Sequence, residues 1–309
     1  MFQRTFKSIS ELLKEQFPFL LAAPAYMWEI CFLYIPVFVI LAFSLRTIEN
    51  SEVVYSLQNY ISLATLTYLR IFLNSFVLAS ITALICLLLG YPVAYYLAMR
   101  AQKLKTILLI FIILPSWTSF IIQIYSWFFL LQKGGLLSAA LEAVGLIHSP
   151  QNFMNNYGAT ILGMVYCYLP FMIFPLYSVL EKMDKRLIEA SSDLGANGFQ
   201  TLRFIILPLS MPGIQIGTFL VFISAFGEFA IPDLMGGFKD MYIGRVIMEK
   251  FLLYRDWNSG AAVVMLSIVL PIVLILGVYF LYTLFSRLVS YSEEFDSVSE
   301  EGGFYEKGD

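Results

Sequence analysis

Three carboxylates stand where carboxylates are expensive. Glu29 lies inside the first long apolar run of the chain, Glu228 inside the fifth between Phe226 and Phe229, and Asp233 at that run's outer end. A charge in a segment that crosses lipid is costly unless a partner or water compensates it, so such residues are functional candidates by default. No Lys or Arg stands at comparable depth in the sequence to neutralise them. Aromatic residues accompany the acids: Trp117, Tyr125 and Trp127 on the third run, Tyr166 and Tyr168 on the fourth. These rings offer cation–π surface. The same rings also read as core packing or interface anchors. Asp233 also reads as a loop carboxylate beside Pro232, and Glu29 as a group bonded within a bundle.

Other chemistries are poorly provided for. His148 is the single histidine, which excludes multi-histidine metal sites and most acid–base dyads. Cys31, Cys86 and Cys167 each sit in an apolar run and read as buried thiols, with neither a disulfide nor a metal site indicated. No phosphate-cradling G-x-x-x-x-G-K loop occurs, so ATP is not expected to bind this chain and no cofactor is assigned to it. There is no H-E-x-x-H, no serine with an evident base, and no basic patch of the nucleic-acid type. An intramembrane enzyme is therefore a weak alternative, and nucleic acid is not an expected partner.

The elements that must position the acids are long apolar segments. The chain is 59% hydrophobic and 13% charged, with a mean hydropathy of +0.78, which excludes an ordinary soluble domain. Six runs approach the twenty or so residues that a bilayer core requires: about 22–45, 71–99, 106–131, 157–180, 211–232 and 260–287. This predicts an all-α, polytopic membrane protein. Pro115 suggests a break in the third run, and Pro170 and Pro175 mark kinks in the fourth. Residues 1–20 form a mixed segment whose apolar spacing predicts a surface-lying amphipathic helix. Residues 21–290 make the six-helix domain, and 291–309 an acidic tail expected to be disordered. Lys and Arg are more frequent in the loops that share a side with the N-terminus, which predicts both termini inside. The two long loops, 132–156 and 233–259, then face outward.

One polar stretch, residues 181–208, stands out between apolar neighbours. A short helix over Leu187–Leu194 is expected, with Asp184 as N-cap and Gly195 where the helix ends. A second helix start is expected to be cut off by Pro208 and Pro212. The spacing Glu189-Ala190-Ser191, three residues, Gly195, nine residues, Ile205, one residue, Leu207-Pro208 resembles the EAA loop of ABC-importer permeases. The departure is Ser191 in place of the usual second alanine. The resemblance implies a type I permease fold of six transmembrane helices. It also implies a coupling helix docked on a cytoplasmic ATPase dimer that binds ATP and magnesium. In that scheme Glu189 meets a basic group of the ATPase and Asp193 belongs to the docked segment. Ala190, Ser191 and Gly195 allow close approach, and Leu207-Pro208 joins the coupling segment to the fifth helix. A second, related permease subunit, a soluble substrate-binding protein and the lipid of a bacterial inner membrane complete the expected surroundings.

A further resemblance narrows the substrate. Ser224 to Ile247 with Arg255-Asp256-Trp257, Ala23-Pro24, Tyr34-Ile35-Pro36, Asn74-Ser75 and Gly90-Tyr91-Pro92-Val93-Ala94-Tyr95 look like spermidine/putrescine permeases. That implies transport of a flexible polycation, with Glu228, Asp233, Glu29 and the aromatic residues as pathway candidates. Related permeases for ferric iron, thiamine and phosphonates share much of the pattern and stay open as alternatives. So does a proton-coupled secondary transporter using Glu29 and Glu228, although the coupling-loop spacing and the lack of a second half count against it.

Overall fold

The structure is a computed structural model that describes residues 22–49, 52–101, 103–237 and 241–274. The expected amphipathic segment, the acidic tail and the end of the sixth run lie outside the described residues. Six helical stretches among the described residues are long and apolar enough to cross a membrane. The described residues fall into two compact units, one drawn from 1–60 and 261–309 and the other from 61–260.

In the first unit, α1 (Ala22–Leu45) contains a π-turn at Ile30–Tyr34 just before Pro36. Most of its apolar side chains are exposed, as suits a helix surrounded by lipid or by another subunit. A short antiparallel hairpin follows, β1 (Arg46–Glu49) and β2 (Glu52–Tyr55). The amide of Asn59 ties the junction down by donating to the carbonyls of Ser44 and Arg46, each at 2.9 Å. Helix α2 (Gln58–Leu63) leads out of this unit.

The second unit is built on three long helices packed against one another: α3 (Leu66–Met99), α7 (Tyr157–Glu181) and α9 (Gly198–Phe226). Between α3 and α7 run α4 (Lys105–Ile113) with a 3₁₀ turn at Leu114–Trp117, α5 (Phe120–Leu131) and α6 (Leu136–Ala143). The third apolar run is thus broken beside Pro115, as the sequence indicates. Gln123 of α5 reaches back to the break and donates to the Pro115 carbonyl at 2.6 Å. Helix α8 (Lys185–Asp193) joins α7 to α9. After α9 come α10 (Ala230–Met235), α11 (Ile243–Met248) and a π-turn at Glu249–Leu253; α12 (Trp257–Leu274) starts at the end of this unit and from Ala261 on is part of the first.

Lipid offers no hydrophobic driving force between helices, so the three-helix core depends on close packing of small residues. Met172 of α7 is the wedge. A β-carbon on Gly217 of α9 would fall 2.8 Å from its sulfur, and one on Gly90 of α3 would fall 3.1 Å from its Cγ. One turn further along, Gly213 lies against the Pro175 carbonyl and the Leu176 backbone, where a β-carbon would sit 3.0–3.1 Å away. Tyr91 and Ser210 share a hydrogen bond of 3.0 Å between α3 and α9. Lys105 and Glu181 pair where α4 begins and α7 ends.

Two expectations are corrected. Pro208 and Pro212 do not cut the helix off, because α9 runs from Gly198 to Phe226 through a π-turn at Leu202–Ile206. A π-turn shifts the hydrogen-bond register, which lets a helix absorb a residue lacking an N–H. The fifth span therefore lies at 198–226 instead of 211–232. Glu228 consequently falls beyond the end of the helix, not well inside it.

Candidate functional site

Two places in the second unit gather the candidate residues. The first is the connection from α7 to α9. Asp184 caps α8, its Oδ1 accepting the Arg186 amide at 3.0 Å. The other end closes on Gly195, whose φ of +83° is a left-handed conformation that favours glycine. The Ala196 amide returns to the Ser191 carbonyl at 3.0 Å and the Gly195 amide to Ser192 at 3.0 Å, which satisfies the last carbonyls of the helix. The next residue, Asn197, opens α9 with a reciprocal cap. Its side chain accepts from the Gln200 amide at 2.9 Å, and its own amide donates to the Gln200 side chain at 2.8 Å.

The two helices are fastened through Ser191. It is 5% exposed, and its hydroxyl meets that of Thr201 at 2.9 Å. Ser191 therefore faces inward and does not lie on a surface that another protein can approach. The spacing of the motif was legible, but which face of a nine-residue helix would be covered was not. Glu189, Ala190, Asp193 and Gly195 are exposed. Leu194 (89% exposed), Phe199 and Phe204 add apolar surface around them. Leu207 and Pro208 follow the π-turn inside the continuous helix, both exposed.

The second place is the break between α9 and α10. Gly227 ends α9, and Glu228 occupies the turn. Its carboxylate accepts the Tyr168 hydroxyl of α7 at 2.5 Å through Oε2, and the Ala230 amide at 2.7 Å through Oε1. A longer bond of 3.4 Å comes from the Ile231 amide, so the side chain caps the first turn of α10. Among the described residues Glu228 has no ion pair. Phe120 and Phe171 flank Tyr168 with ring centroids at 6.5 and 6.3 Å. Helix α10 is set tightly against α7 at Gly163, where a β-carbon would lie 2.7 Å from the Met235 sulfur.

Asp233 behaves differently. Its carboxylate pairs with Arg245 of α11 at 2.9 Å, and the same guanidinium bonds Glu249 at 2.9 Å. The hydrogen bond to Glu249 raises the guanidinium pKa above its ordinary value; burial opposes this, and the charge of Asp233 adds to it. The expectation that no basic residue neutralises the acids therefore fails for Asp233. The partner lies twelve residues further along, on α11, so the pairing is invisible in a linear count of depth.

The aromatic candidates divide. Trp127 and Tyr166 form an edge-to-face pair at 5.3 Å, and Tyr125 packs edge-on to Phe128 at 6.4 Å. Trp117 projects from the helix break, 79% exposed. Of the tyrosines on α7, Tyr168 is the one that bonds the acid. Glu29 belongs to the first unit, exposed on α1 where the π-turn begins. The sequence does not single out Thr201, and it offers Gly244 and Arg245 only as members of the Ser224 to Ile247 stretch, with no site role. For Thr201 a signal existed, since Asn197-x-x-Gln200 is a capping box that marks a helix start at Gly198.

With this geometry in view, comparison with solved structures gives the fold. A bacterial ABC transporter that imports the acidic polysaccharide alginate has a chain that superposes with a TM-score of 0.67 at 16% identity, covering 89% of this chain and 98% of that one. The same kind of transporter in complex with an alginate pentasaccharide-bound periplasmic protein gives 0.66 at 15% identity, covering 86% and 94%. The fold is that of an ABC-importer permease.

The family follows from sequence. Residues 87–291 match the model of the binding-protein-dependent transport system inner membrane component, and the chain belongs to that family. Spermidine/putrescine transport system permease protein PotB of Escherichia coli (strain K12) is 42% identical over 252 residues, 80% of this chain and 92% of that one. The PotB protein of Haemophilus influenzae is 39% identical over 275 residues, 88% and 95%. The inner membrane ABC transporter permease protein YdcU of Escherichia coli (strain K12) is 30% identical over 236 residues, 72% of each. The chain is thus a multi-pass inner-membrane protein, the permease subunit of a binding-protein-dependent ABC transporter.

Proposed function

We propose that this chain is one of a pair of permease subunits in an ATP-driven importer of polyamines, spermidine and putrescine. The observation that carries the reading is Glu228. It is a carboxylate held by neutral donors in a helix break, with no cation paired to it among the described residues. An ammonium group of the substrate supplies the missing charge, and the tyrosine and phenylalanine rings around it supply cation–π surface. The similarity to the two PotB proteins supports the same substrate class.

Driving force comes from a separate ATPase dimer, which hydrolyses ATP with magnesium. The exposed Glu189–Ala190–Asp193 face of α8 and the adjoining Gly195 turn dock on it, with Leu194 and Phe199 adding apolar contact. The cap at Asp184, the turn at Gly195 and the Ser191–Thr201 bond make α8 and the start of α9 a stiff unit. Through Leu207-Pro208 a push on α8 passes straight into α9, at whose far end stands Glu228. ATP binding thereby favours an outward-open arrangement that takes polyamine from a soluble binding protein, and hydrolysis restores the inward one. The distribution of Lys and Arg supports an orientation with both termini and the α8 loop in the cytoplasm.

A tagged chain extracted in mild detergent tests this. An ATPase and a second six-helix subunit are expected to co-purify. Proton-driven uptake by the isolated chain, with no ATPase attached, would establish the secondary-transporter alternative instead.

A further inference from the structure

The turn that carries Glu228 is weakly held by its own backbone. The amides of Gly227 and Glu228 reach the carbonyls of Ile223 and Ala225 only at 3.4 Å each, well beyond the usual hydrogen-bond length of about 2.9–3.0 Å. A carboxylate on so loose a turn needs outside support if it is to stay in one place. Tyr168 holds the side chain, and α10 offers its first amides. The third contact comes from α11.

Gly244 lies directly against the turn. A β-carbon there would stand 2.4 Å from the Gly227 carbonyl oxygen and 2.8 Å from that of Glu228, closer than side-chain carbons approach backbone. Helix α11 is pinned on both sides of this contact. The Ile243 amide donates to the buried Ser75 hydroxyl of α3 at 2.8 Å. The Arg245 guanidinium reaches Asp233 of α10 at 2.9 Å and Glu249, one turn on, at 2.9 Å. Because Asp233 lies on the same six-residue helix whose amides hold Glu228, movement of α10 away from α11 would disturb the carboxylate and its cap together.

We propose that Gly244 and Arg245 are positioning residues that clamp the Gly227–Phe229 turn and hold the Glu228 carboxylate where the ammonium group of a polyamine meets it. The clamp rests on the assignment of Glu228 made above. Gly244 supplies the close approach that no other residue permits. Arg245 keeps α10 and α11 together, with Asp233 and Glu249 engaged in that structural pairing and not in binding the substrate.

The test uses the complete transporter in liposomes with its binding protein. Labelled spermidine moved per ATP hydrolysed is measured for Gly244→Ala, Arg245→Gln and Arg245→Lys, each alone and combined with Glu228→Gln. Misplacing a binding group by about 1 Å loses on the order of tenfold to a hundredfold. A fall of about tenfold in spermidine per ATP is therefore expected for Gly244→Ala and Arg245→Gln. Arg245→Lys should recover part of the loss, because an ammonium group can still pair with one of the carboxylates. Combined with Glu228→Gln, neither change should lower the ratio further, since the group being positioned has lost its charge. A merely structural role would lower assembly and ATP hydrolysis along with transport, leaving the ratio unmoved, and that result overturns the clamp. So do losses that multiply with that of Glu228→Gln. If Glu228→Gln alone has no effect, the assignment of Glu228 is what fails. Should Gly244→Ala not assemble, Arg245→Gln decides the matter, an unchanged ratio being the overturning result.

Discussion

Replacing Glu228 with Gln separates charge from shape at the proposed substrate site. In the native chain Oε1 accepts the Ala230 amide and Oε2 accepts the Tyr168 hydroxyl. Glutamine keeps an oxygen for Ala230 and turns an NH₂ toward Tyr168, whose hydroxyl can accept as readily as it donates. No hydrogen bond in the turn need be lost, and α10 retains its cap. What disappears is the negative charge available to an ammonium group. Hydrogen bonds to charged groups contribute about 1.5–3 kcal/mol. At about 1.4 kcal/mol per factor of ten, uptake should fall by about tenfold to a hundredfold. The assay is the initial rate of labelled spermidine uptake at low concentration, in cells lacking other polyamine transport and normalised to the variant's abundance in the membrane. Unchanged uptake at equal abundance would refute the role of Glu228. Reduced abundance without a reduced normalised rate would equally show that the residue serves folding alone.

Two further outcomes concern the α7–α9 connection. Gly195→Ala forces a left-handed conformation on a residue with a β-carbon, which costs about 1–2 kcal/mol, so the α8 end should fray. Faster amide exchange over 190–196 and weaker retention of the ATPase are expected on purification. Ser191→Ala removes the hydroxyl partner of Thr201, yet Thr201 still meets the Asn197 carbonyl at 3.2 Å. Its effect on the thermal unfolding of the transporter should therefore be small, about 0.5–1.5 kcal/mol, and transport should persist.

The fold was legible in the sequence because a bilayer imposes a length and a polarity that composition reveals directly. The break beside Pro115 and the α8 end residues Asp184 and Gly195 were equally readable, since Pro, Asp and Gly act locally, although the helix runs over Lys185–Asp193 instead of Leu187–Leu194. The start of α9 is not legible because Pro208 and Pro212 read as breakers, whereas Pro208 follows the π-turn at Leu202–Ile206 and Pro212 sits inside the continuing helix. With that start moved back to Gly198, the helix ends sooner and Glu228 passes from a span into a turn. Glu228 and Asp233 looked alike as isolated acids. They differ because Arg245, twelve residues beyond Asp233, returns to pair with one and not the other. Such a pairing depends on the tertiary packing of α11 beside α10, and no local pattern announces it. Ser191 shows the same limit on a smaller scale. The motif located the residue, but only the packing of α8 on Thr201 turns its hydroxyl inward.

The central claim, ATP-driven polyamine import, is most directly tested with the complete transporter in liposomes, by following labelled spermidine in the presence and absence of hydrolysable ATP. Accumulation that requires ATP and is competed by putrescine, and not by thiamine, a phosphonate or ferric iron, is the predicted result. ATP-driven accumulation of one of those other solutes, with spermidine neither carried nor competing, would contradict the account.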